Sequence, residues 1–104
     1  MSASAGFREF LQELFGELGE LRFRAMFGGH GVYLHDRMFG LVVRDTLYLK
    51  AFDDTVALFE AAGSEMFTYP MKNGKVGAIN YWRLPESALD DADEAVDWAR
   101  RAIR

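Results

Sequence analysis

The chain has 104 residues and contains no cysteine, only two prolines and only two histidines. The absence of cysteine excludes disulfides, thiolate zinc sites and a cysteine nucleophile. No apolar run approaches the ~18–20 residues that a membrane span needs. The N-terminal residues also lack the basic and apolar segments of a signal peptide. We therefore expect a cytoplasmic protein that makes no membrane contact.

Basic residues are outnumbered, because 16 Asp and Glu stand against 12 Lys and Arg and give a net charge of −4. Domains that hold nucleic acid mainly by neutralising phosphates usually carry a basic excess, so this balance disfavours that class and leaves open only a local basic patch. Half of the residues are hydrophobic and 14% are aromatic, which is typical of a folded chain. The length fits one domain over residues 1–104.

Helical periodicity is clearest near the two ends of the chain. Apolar residues fall on one helical face between Phe7 and Leu18, and Ser4 and Gly19 are the predicted start and stop signals. A last helix is predicted from about residue 87 or 90 to Ile103. Acidic residues crowd its first turn and arginines its last, and both clusters interact favourably with the helix dipole.

The middle of the chain predicts short strands around one further helix. Asp53 is the predicted N-terminal cap of that helix, and Gly63 supplies its left-handed end. Asn73-Gly74 is a hairpin signal between two extended, aromatic segments. The predicted strands cover residues 22–27, 31–35, 38–44, 47–50, 66–71 and 76–83. The short turns between them indicate an antiparallel sheet.

The predicted order is α-β-β-β-β-α-β-β-α, an α+β fold of two layers with an antiparallel sheet of five to six strands and three helices. Residues 38–43 and part of 76–82 are apolar on both alternating faces of their strands, unlike half-exposed strands. Three short helices cover only one face of such a sheet. Because monomers rarely expose large apolar patches, we expect a homodimer through the sheet face or an edge.

Catalytic chemistry finds little support in the residues. His30 and His35, taken with Asp36, match no metal-ligand spacing, and Gly63-Ser64 lacks the G-x-S-x-G context of a nucleophilic serine. The cluster Gly28-Gly29-His30-Gly31 matches no phosphate-binding loop; a bulge or tight turn that includes His30 explains it better. We expect no catalytic residue, no metal and no cofactor. A ligand-binding domain or small enzyme stays open if a deep pocket surrounds either histidine.

Nucleic-acid contact is a separate alternative. Arg22 and Arg24 share one face of their strand, and further basic and aromatic residues lie nearby in the predicted sheet, as in a base-stacking platform. These further residues are Lys50, Lys72, Lys75, Arg83, Tyr33, Tyr48, Tyr69, Tyr81 and Trp82. No RNP-like sequence accompanies them, and strand aromatics usually belong to a core. Direct DNA contact is therefore the second hypothesis.

Several short motifs resemble the N-terminal domain of the TfoX/Sxy proteins. The resemblance covers roughly residues 7–103, and its most specific part is a Met-Phe-Gly-Gly-x-Gly block followed by a Leu-Tyr-Leu-Lys strand. The matching segments are residues 24–33, 38–41, 47–50, 67–69, 80–82, 84–85, 89–91 and 98–99. Two positions depart from the pattern, because His30 stands where an aromatic is more common and Arg37 where a glycine is common.

The resemblance implies a fold of the secretion-chaperone-like type and a role in the regulation of natural competence in bacteria. Full-length members are thought to act as co-activators with the cyclic-AMP receptor protein, and no catalytic residues are established for the domain. Competence regulators carry a second, C-terminal helical domain, whereas we expect a stand-alone N-terminal domain here.

The leading hypothesis is a non-enzymatic regulatory or protein-interaction module. We expect it to be dimeric and to act as a transcriptional accessory factor with a protein partner such as a transcription factor. The predicted partner surface lies around the glycine cluster. Its residues are Arg22, Arg24, Phe27, Gly28, Gly29, His30, Gly31 and Tyr33.

Overall fold

The computed structural model describes residues 4–26 and 28–104 and confirms the predicted order of helices and strands. The helices are α1 (Ala5–Leu14), α2 (Val56–Ala61) and α3 (Ala92–Ala102). The strands are β1 (Leu21–Met26), β2 (Gly29–Leu34), β3 (Arg37–Val43), β4 (Thr46–Lys50), β5 (Met66–Pro70) and β6 (Val76–Arg83). Short 3-10 segments occupy Gly16–Leu18, Lys72–Gly74 and Glu86–Asp90. In the described chain, every helix is too short or too polar to cross a membrane.

The six strands form one sheet in the order β1-β2-β3-β4-β6-β5, and all neighbouring strands are antiparallel. Strands β1 and β5 are therefore the two edges. A register shift interrupts the β2–β3 ladder: Val32 pairs with Gly40 and Tyr33 pairs with Met38, so Phe39 has no partner on β2. This bulge turns Phe39 into the core, where its ring lies 6.3 Å from that of Phe15.

The helices cover one face of the sheet and bury the core there. Phe59 of α2 lies at its centre, 4.5 Å from the ring of Trp98 on α3 and 6.0 Å from the ring of Trp82 on β6. The Trp82 indole N–H is satisfied by the side-chain oxygen of Asn80 at 2.8 Å. One aromatic ring thus joins two helices and a strand, and ring pairs of this kind add stability beyond their buried area.

The end of the first helix differs in part from the prediction. The Ser4 hydroxyl accepts a hydrogen bond from the backbone N–H of Phe7 at 3.1 Å, so the predicted cap is confirmed. The regular helix ends at Leu14, however, and Gly16–Leu18 continue it as a tighter 3-10 turn. Gly19, with φ 120°, stops the turn as predicted.

The predicted cap of the second helix is wrong. Helix α2 begins at Val56, and Asp53 makes no capping bond to it. The hydroxyl of Thr55 instead closes the preceding turn by accepting from the Phe52 N–H at 2.9 Å. Thr55 is buried, and its hydroxyl provides the hydrogen-bond partner of the Phe52 N–H within the fold. Gly63, with φ 75°, confirms the predicted left-handed end.

The C-terminal arginines form contacts across the helical layer. Arg100 bonds to Glu17 at 3.1 Å, and Arg104 bonds to Asp54 at 2.8 Å. Hydrogen bonding to Arg104 lowers the pKa of the exposed Asp54 carboxyl below its ordinary value. Arg101 stacks 4.8 Å from the ring centre of Trp98. Exposed ion pairs contribute little to stability individually. These arginines also interact favourably with the dipole of α3, because they lie at its C-terminal end.

Replacing Phe59 tests the central ring contact. Phe59 is 1% exposed, whereas its neighbour Leu58 on α2 is 44% exposed. Phe59→Ala is expected to lower the free energy of unfolding by about 3–5 kcal/mol, and the control Leu58→Ala by less than about 1 kcal/mol. Urea titration followed by circular dichroism measures both. Equal losses in the two variants would contradict the central role of Phe59.

Candidate functional site

One face of the sheet lies opposite the helices, and we call it the open face. Side chains alternate between the two faces of a strand, and residues paired across strands share a face. Val32, Val42, Leu49 and Trp82 belong to the buried cluster beneath the helices. The residues between them along each strand therefore lie on the open face. They include Arg22, Arg24, Tyr33, Leu41, Val43, Tyr48, Phe67, Tyr69, Ile79, Tyr81 and Arg83.

A single row of paired residues crosses the open face from β1 to β6. Arg24 pairs with Gly31, Gly31 with Leu41, Leu41 with Tyr48, and Tyr48 with Arg83. Each step between neighbouring strands is about 4.8 Å, so the row spans about 19 Å. The row has an arginine at each end and glycine, leucine and tyrosine between them.

An apolar groove of about 320 Å³ lies on the open face toward β5, lined by Leu41, Val43, Phe67, Tyr69 and Ile79. The Phe67 ring is 5.0 Å from that of Tyr48 and 6.1 Å from that of Tyr69. The Tyr69 ring lies close against Gly77, since a Cβ at Gly77 would lie 2.5 Å from that ring. The ring occupies the space that the glycine leaves and forms one wall of the groove.

A second cleft lies at the β1 end, lined by Arg22, Phe23, Arg24, Tyr33, His35 and Asp36. Among the described residues, neither Arg22 nor Arg24 forms an ion pair. Both guanidinium groups are thus available to an anionic group on a partner. Of the described residues that line this cleft, Asp36, in the turn between β2 and β3, is the one that is acidic.

Charge is segregated between the two layers of the fold. None of the six strands of the described chain contains Asp or Glu, and all 16 acidic residues lie in helices, turns and loops. The strands carry only basic charge, and Arg22, Arg24, Lys50 and Arg83 all occupy open-face positions. The Lys50 amine is partly engaged, because it lies 5.4 Å from the ring centre of Phe52. A chain of net negative charge therefore presents a basic and aromatic sheet surface.

Tyr81 on the open face has a shifted pKa. Burial raises the pKa of the Tyr81 hydroxyl above its ordinary value, and the Tyr33 hydroxyl raises it further. The neutral phenol of Tyr81 is therefore favoured in the folded state. The stability that this contributes is present below the ordinary tyrosine pKa and is lost as pH rises above it.

The structure brings together five of the eight residues predicted for the partner surface. Arg22, Arg24, Gly29, Gly31 and Tyr33 share the open face of β1 and β2. Gly28 lies in the exposed turn before β2 with φ 77°, which confirms a tight turn in the glycine cluster. Phe27, also predicted for this surface, lies outside the described residues.

The placement of His30 in the turn is wrong. His30 lies within β2, is 7% exposed and pairs with Ala25 and with the core residue Val42. Its side chain therefore belongs to the helix-covered face. His35, the last residue of the predicted strand, lies one residue beyond β2 in an exposed turn. Among residues 4–26 and 28–104, no three His, Cys, Asp or Glu side chains are arranged to hold a metal ion.

Sequence reasoning missed the apolar groove and misplaced one aromatic residue. Trp82, considered for a stacking platform, lies on the opposite face and is buried against Phe59. The groove residues come from three separate strands, so no local motif marks them. The absence of acidic residues from every strand segment was the available signal, since a solvated strand face normally carries both signs of charge.

Gly29 gives a direct test of whether the glycine cluster is structural. A Cβ at this position would lie 2.2 Å from the backbone oxygen of Val42, whereas one at Gly6 in α1 would meet no atom within 4 Å. Gly29→Ala is expected to destabilise the fold by about 3 kcal/mol, because two paired backbones must separate. The control Gly6→Ala is expected to stabilise it by about 0.5–1 kcal/mol. Thermal unfolding measures both, and an unchanged Gly29→Ala midpoint would contradict the structural role.

Comparison with known proteins agrees with this architecture. The family model of the TfoX N-terminal domain matches residues 13–104. The chain is 33% identical over 91 residues to the DNA transformation protein TfoX1 of Aliivibrio fischeri, a match covering 81% of this chain and 43% of that protein. It is 30% identical over 76 residues to protein Sxy of Escherichia coli, a match covering 73% of this chain and 36% of that protein. The chain spans less than half the length of these relatives, and it belongs to the TfoX N-terminal domain family.

Proposed function

We propose that this domain is a non-enzymatic regulatory module that works by binding another protein through the open face. The observation that carries this proposal is a sheet face of apolar, aromatic and basic side chains that the domain's own helices leave uncovered. Large apolar patches on soluble domains commonly mark interaction sites. Aromatic residues and arginine, which are enriched at interfaces, supply most of this face.

The relatives suggest what such a module regulates. One of them is a DNA transformation protein by name, and competence genes are the class of target that this suggests for the present chain. We propose that the domain acts as an accessory factor in transcription, with a transcription factor as the protein that it binds. Membership of the family supports this role, and the open face supplies a surface for it.

A genetic replacement tests the regulatory role. In the bacterium that encodes this chain, the double variant Ile79→Asp/Arg24→Glu is expected to change the same transcripts as deletion of the gene, because both an apolar and a basic contact are lost from the open face. RNA sequencing measures the transcripts, and immunoblotting confirms that the variant accumulates to the normal level.

The matched control is the double variant Val76→Asp/Lys72→Glu. Val76 lies on β6 like Ile79 but has the opposite side-chain direction, and Lys72 lies in the turn between β5 and β6. This control is expected to leave the transcripts unchanged. A deletion without effect on transcription would contradict the regulatory role, and a normal profile in the open-face variant would contradict the use of that face.

We also propose a homodimer, formed through the β5 edge. Two open faces pressed together would oppose basic residues with no acidic residue in the strands to compensate. Strand β5 is an edge strand of sequence Met-Phe-Thr-Tyr-Pro without any charge. Uncharged edge strands are prone to pair with another chain, and Pro70 confines such pairing to the residues before it. The exposed Met66 and Met71 near this edge add apolar area to such a contact.

Light scattering tests the dimer. The chain has a mass of 11.8 kDa, so a dimer is expected to scatter as a particle of about twice that mass at high micromolar concentration. Thr68→Lys, which places a charge on the β5 edge, is expected to shift the population toward monomer. A monodisperse monomer of the unmodified chain under these conditions would contradict the dimer.

Direct DNA contact is the second candidate function. The specific observation in its favour is that Arg22, Arg24 and Arg83 share a face with Tyr33 and Tyr48. Basic residues beside exposed aromatics can bind single strands by phosphate contact and base stacking. Such binding weakens steeply with salt concentration, which distinguishes it from the largely apolar contact proposed for the groove.

A further inference from the structure

We infer that the partner of the open face is an amphipathic helix with an acidic flank, contributed by another protein. This inference rests on the proposed function and adds the chemistry of the partner to it. Three features support it, namely the sign of the charge, the character of the groove and the distance between the cations.

The sign of the charge selects an acidic partner. Arg22, Arg24 and Arg83 lie on the open face, and none of them forms an ion pair within the described chain. The strands offer no carboxylate of their own. A partner with Asp or Glu at the matching positions would meet complementary charge, whereas a basic partner would be repelled. Electrostatic complementarity of this kind chooses the partner and speeds its association.

The groove, which adjoins the row of Arg24 and Arg83 at Leu41, selects an apolar anchor beside those charges. Leu41, Val43 and Ile79 provide aliphatic walls, and Phe67 and Tyr69 provide aromatic ones. Ile79 is 38% exposed in the absence of a partner. Leucine, phenylalanine or tryptophan side chains bury well in such a groove, and buried apolar anchors dominate binding energy at interfaces.

The distance between the cations gives the length of the partner segment. Arg24 and Arg83 end a row of about 19 Å, with uncharged side chains between them. A helix rises 1.5 Å per residue, so about 13 residues would span this row. A helix fits better than an added strand, because the open face presents side chains and the backbone hydrogen bonds there are already paired within the sheet.

Two other occupants fit the face less well. The groove is lined by apolar and aromatic side chains without a basic residue, and its aliphatic walls bury an apolar side chain more favourably than a polar base. A second copy of the chain would bring the same basic face against it, without a carboxylate from any strand. An acidic amphipathic helix satisfies the cations and the groove together.

An unbiased peptide selection tests the inference. A displayed library of random 16-residue peptides is selected on the purified full chain, and the enriched peptides are sequenced. We expect enrichment of net negative charge together with apolar residues at helical spacing of three and four. Fluorescence anisotropy of one enriched, labelled peptide then gives the dissociation constant and its dependence on sodium chloride.

Matched variants locate the binding on the face. Ile79→Asp and Arg24→Glu are each expected to raise the dissociation constant of the peptide by about tenfold or more. The controls are Val76→Asp and Lys72→Glu, and each is expected to change the dissociation constant by no more than about twofold. Val76 lies on the same strand as Ile79, is 69% exposed and faces the other way. Circular dichroism and thermal unfolding confirm that each variant is folded. Ile79→Ser and Arg24→Gln replace any variant that is not.

Several outcomes would overturn the inference. Enriched peptides without acidic excess, no enrichment at all, or binding that survives both Ile79→Asp and Arg24→Glu would each do so. A 20-nucleotide single-stranded DNA that binds more tightly than the best peptide and is lost in the same variants would assign the face to nucleic acid instead. Peptides that bind only by dissociating a dimer of the chain would assign it to a second copy.

The result also separates this inference from the proposed function. If the open-face variant changes transcription but the selected peptides show no acidic bias, only the chemistry of the partner is wrong. If acidic peptides bind the face but its variants leave transcription normal, the binding site exists and the regulatory role is wrong.

Discussion

A six-stranded sheet has two faces, and three short helices are enough for only one of them. Helix α2 has six residues, and the ring of its Phe59 joins it to α3 and to β6. Burial of Phe15, Phe39 and the two tryptophans uses up the apolar surface of the helices on that side. The strand alternation places Leu41, Tyr48 and Phe67 on the other face. Leu41 is buried there without help from a helix, and the partly exposed Phe67 ring packs against those of Tyr48 and Tyr69.

The distribution of charge follows the same division. Acidic residues cap and flank α3 at its N-terminal end, where the helix dipole favours them. Arg100 and Arg104 are paired with acidic residues of the helical layer. Arg24 and Arg83 have no such partners within the described chain. The net charge of −4 therefore conceals a basic sheet, and arguments from overall charge alone underestimate what the sheet can attract.

The order of elements and the antiparallel sheet could be predicted because they depend on local periodicity and turn residues, as Ser4, Gly63 and Asn73-Gly74 illustrate. Asp53 is a residue type that commonly caps helices, but the turn before α2 is closed by the buried Thr55 hydroxyl, which accepts a hydrogen bond from the Phe52 N–H. The sheet face on which an individual side chain lies was harder to predict. The bulge at Phe39 shifts the alternation within β3, and the groove depends on which strands become neighbours, a property of topology that no single segment records.

The tryptophan arrangement has an optical consequence. The chain has two tryptophans, and both contact the ring of Phe59. Their fluorescence emission therefore reports on the packing of α2 against α3 and β6. Trp82 also follows Tyr81 on β6, with the two side chains on opposite faces of the same strand. Movement of that strand caused by an occupant on the far side would alter the indole environment. The protein thus contains an intrinsic fluorophore at the boundary between its layers, and it needs no added label to register events on either.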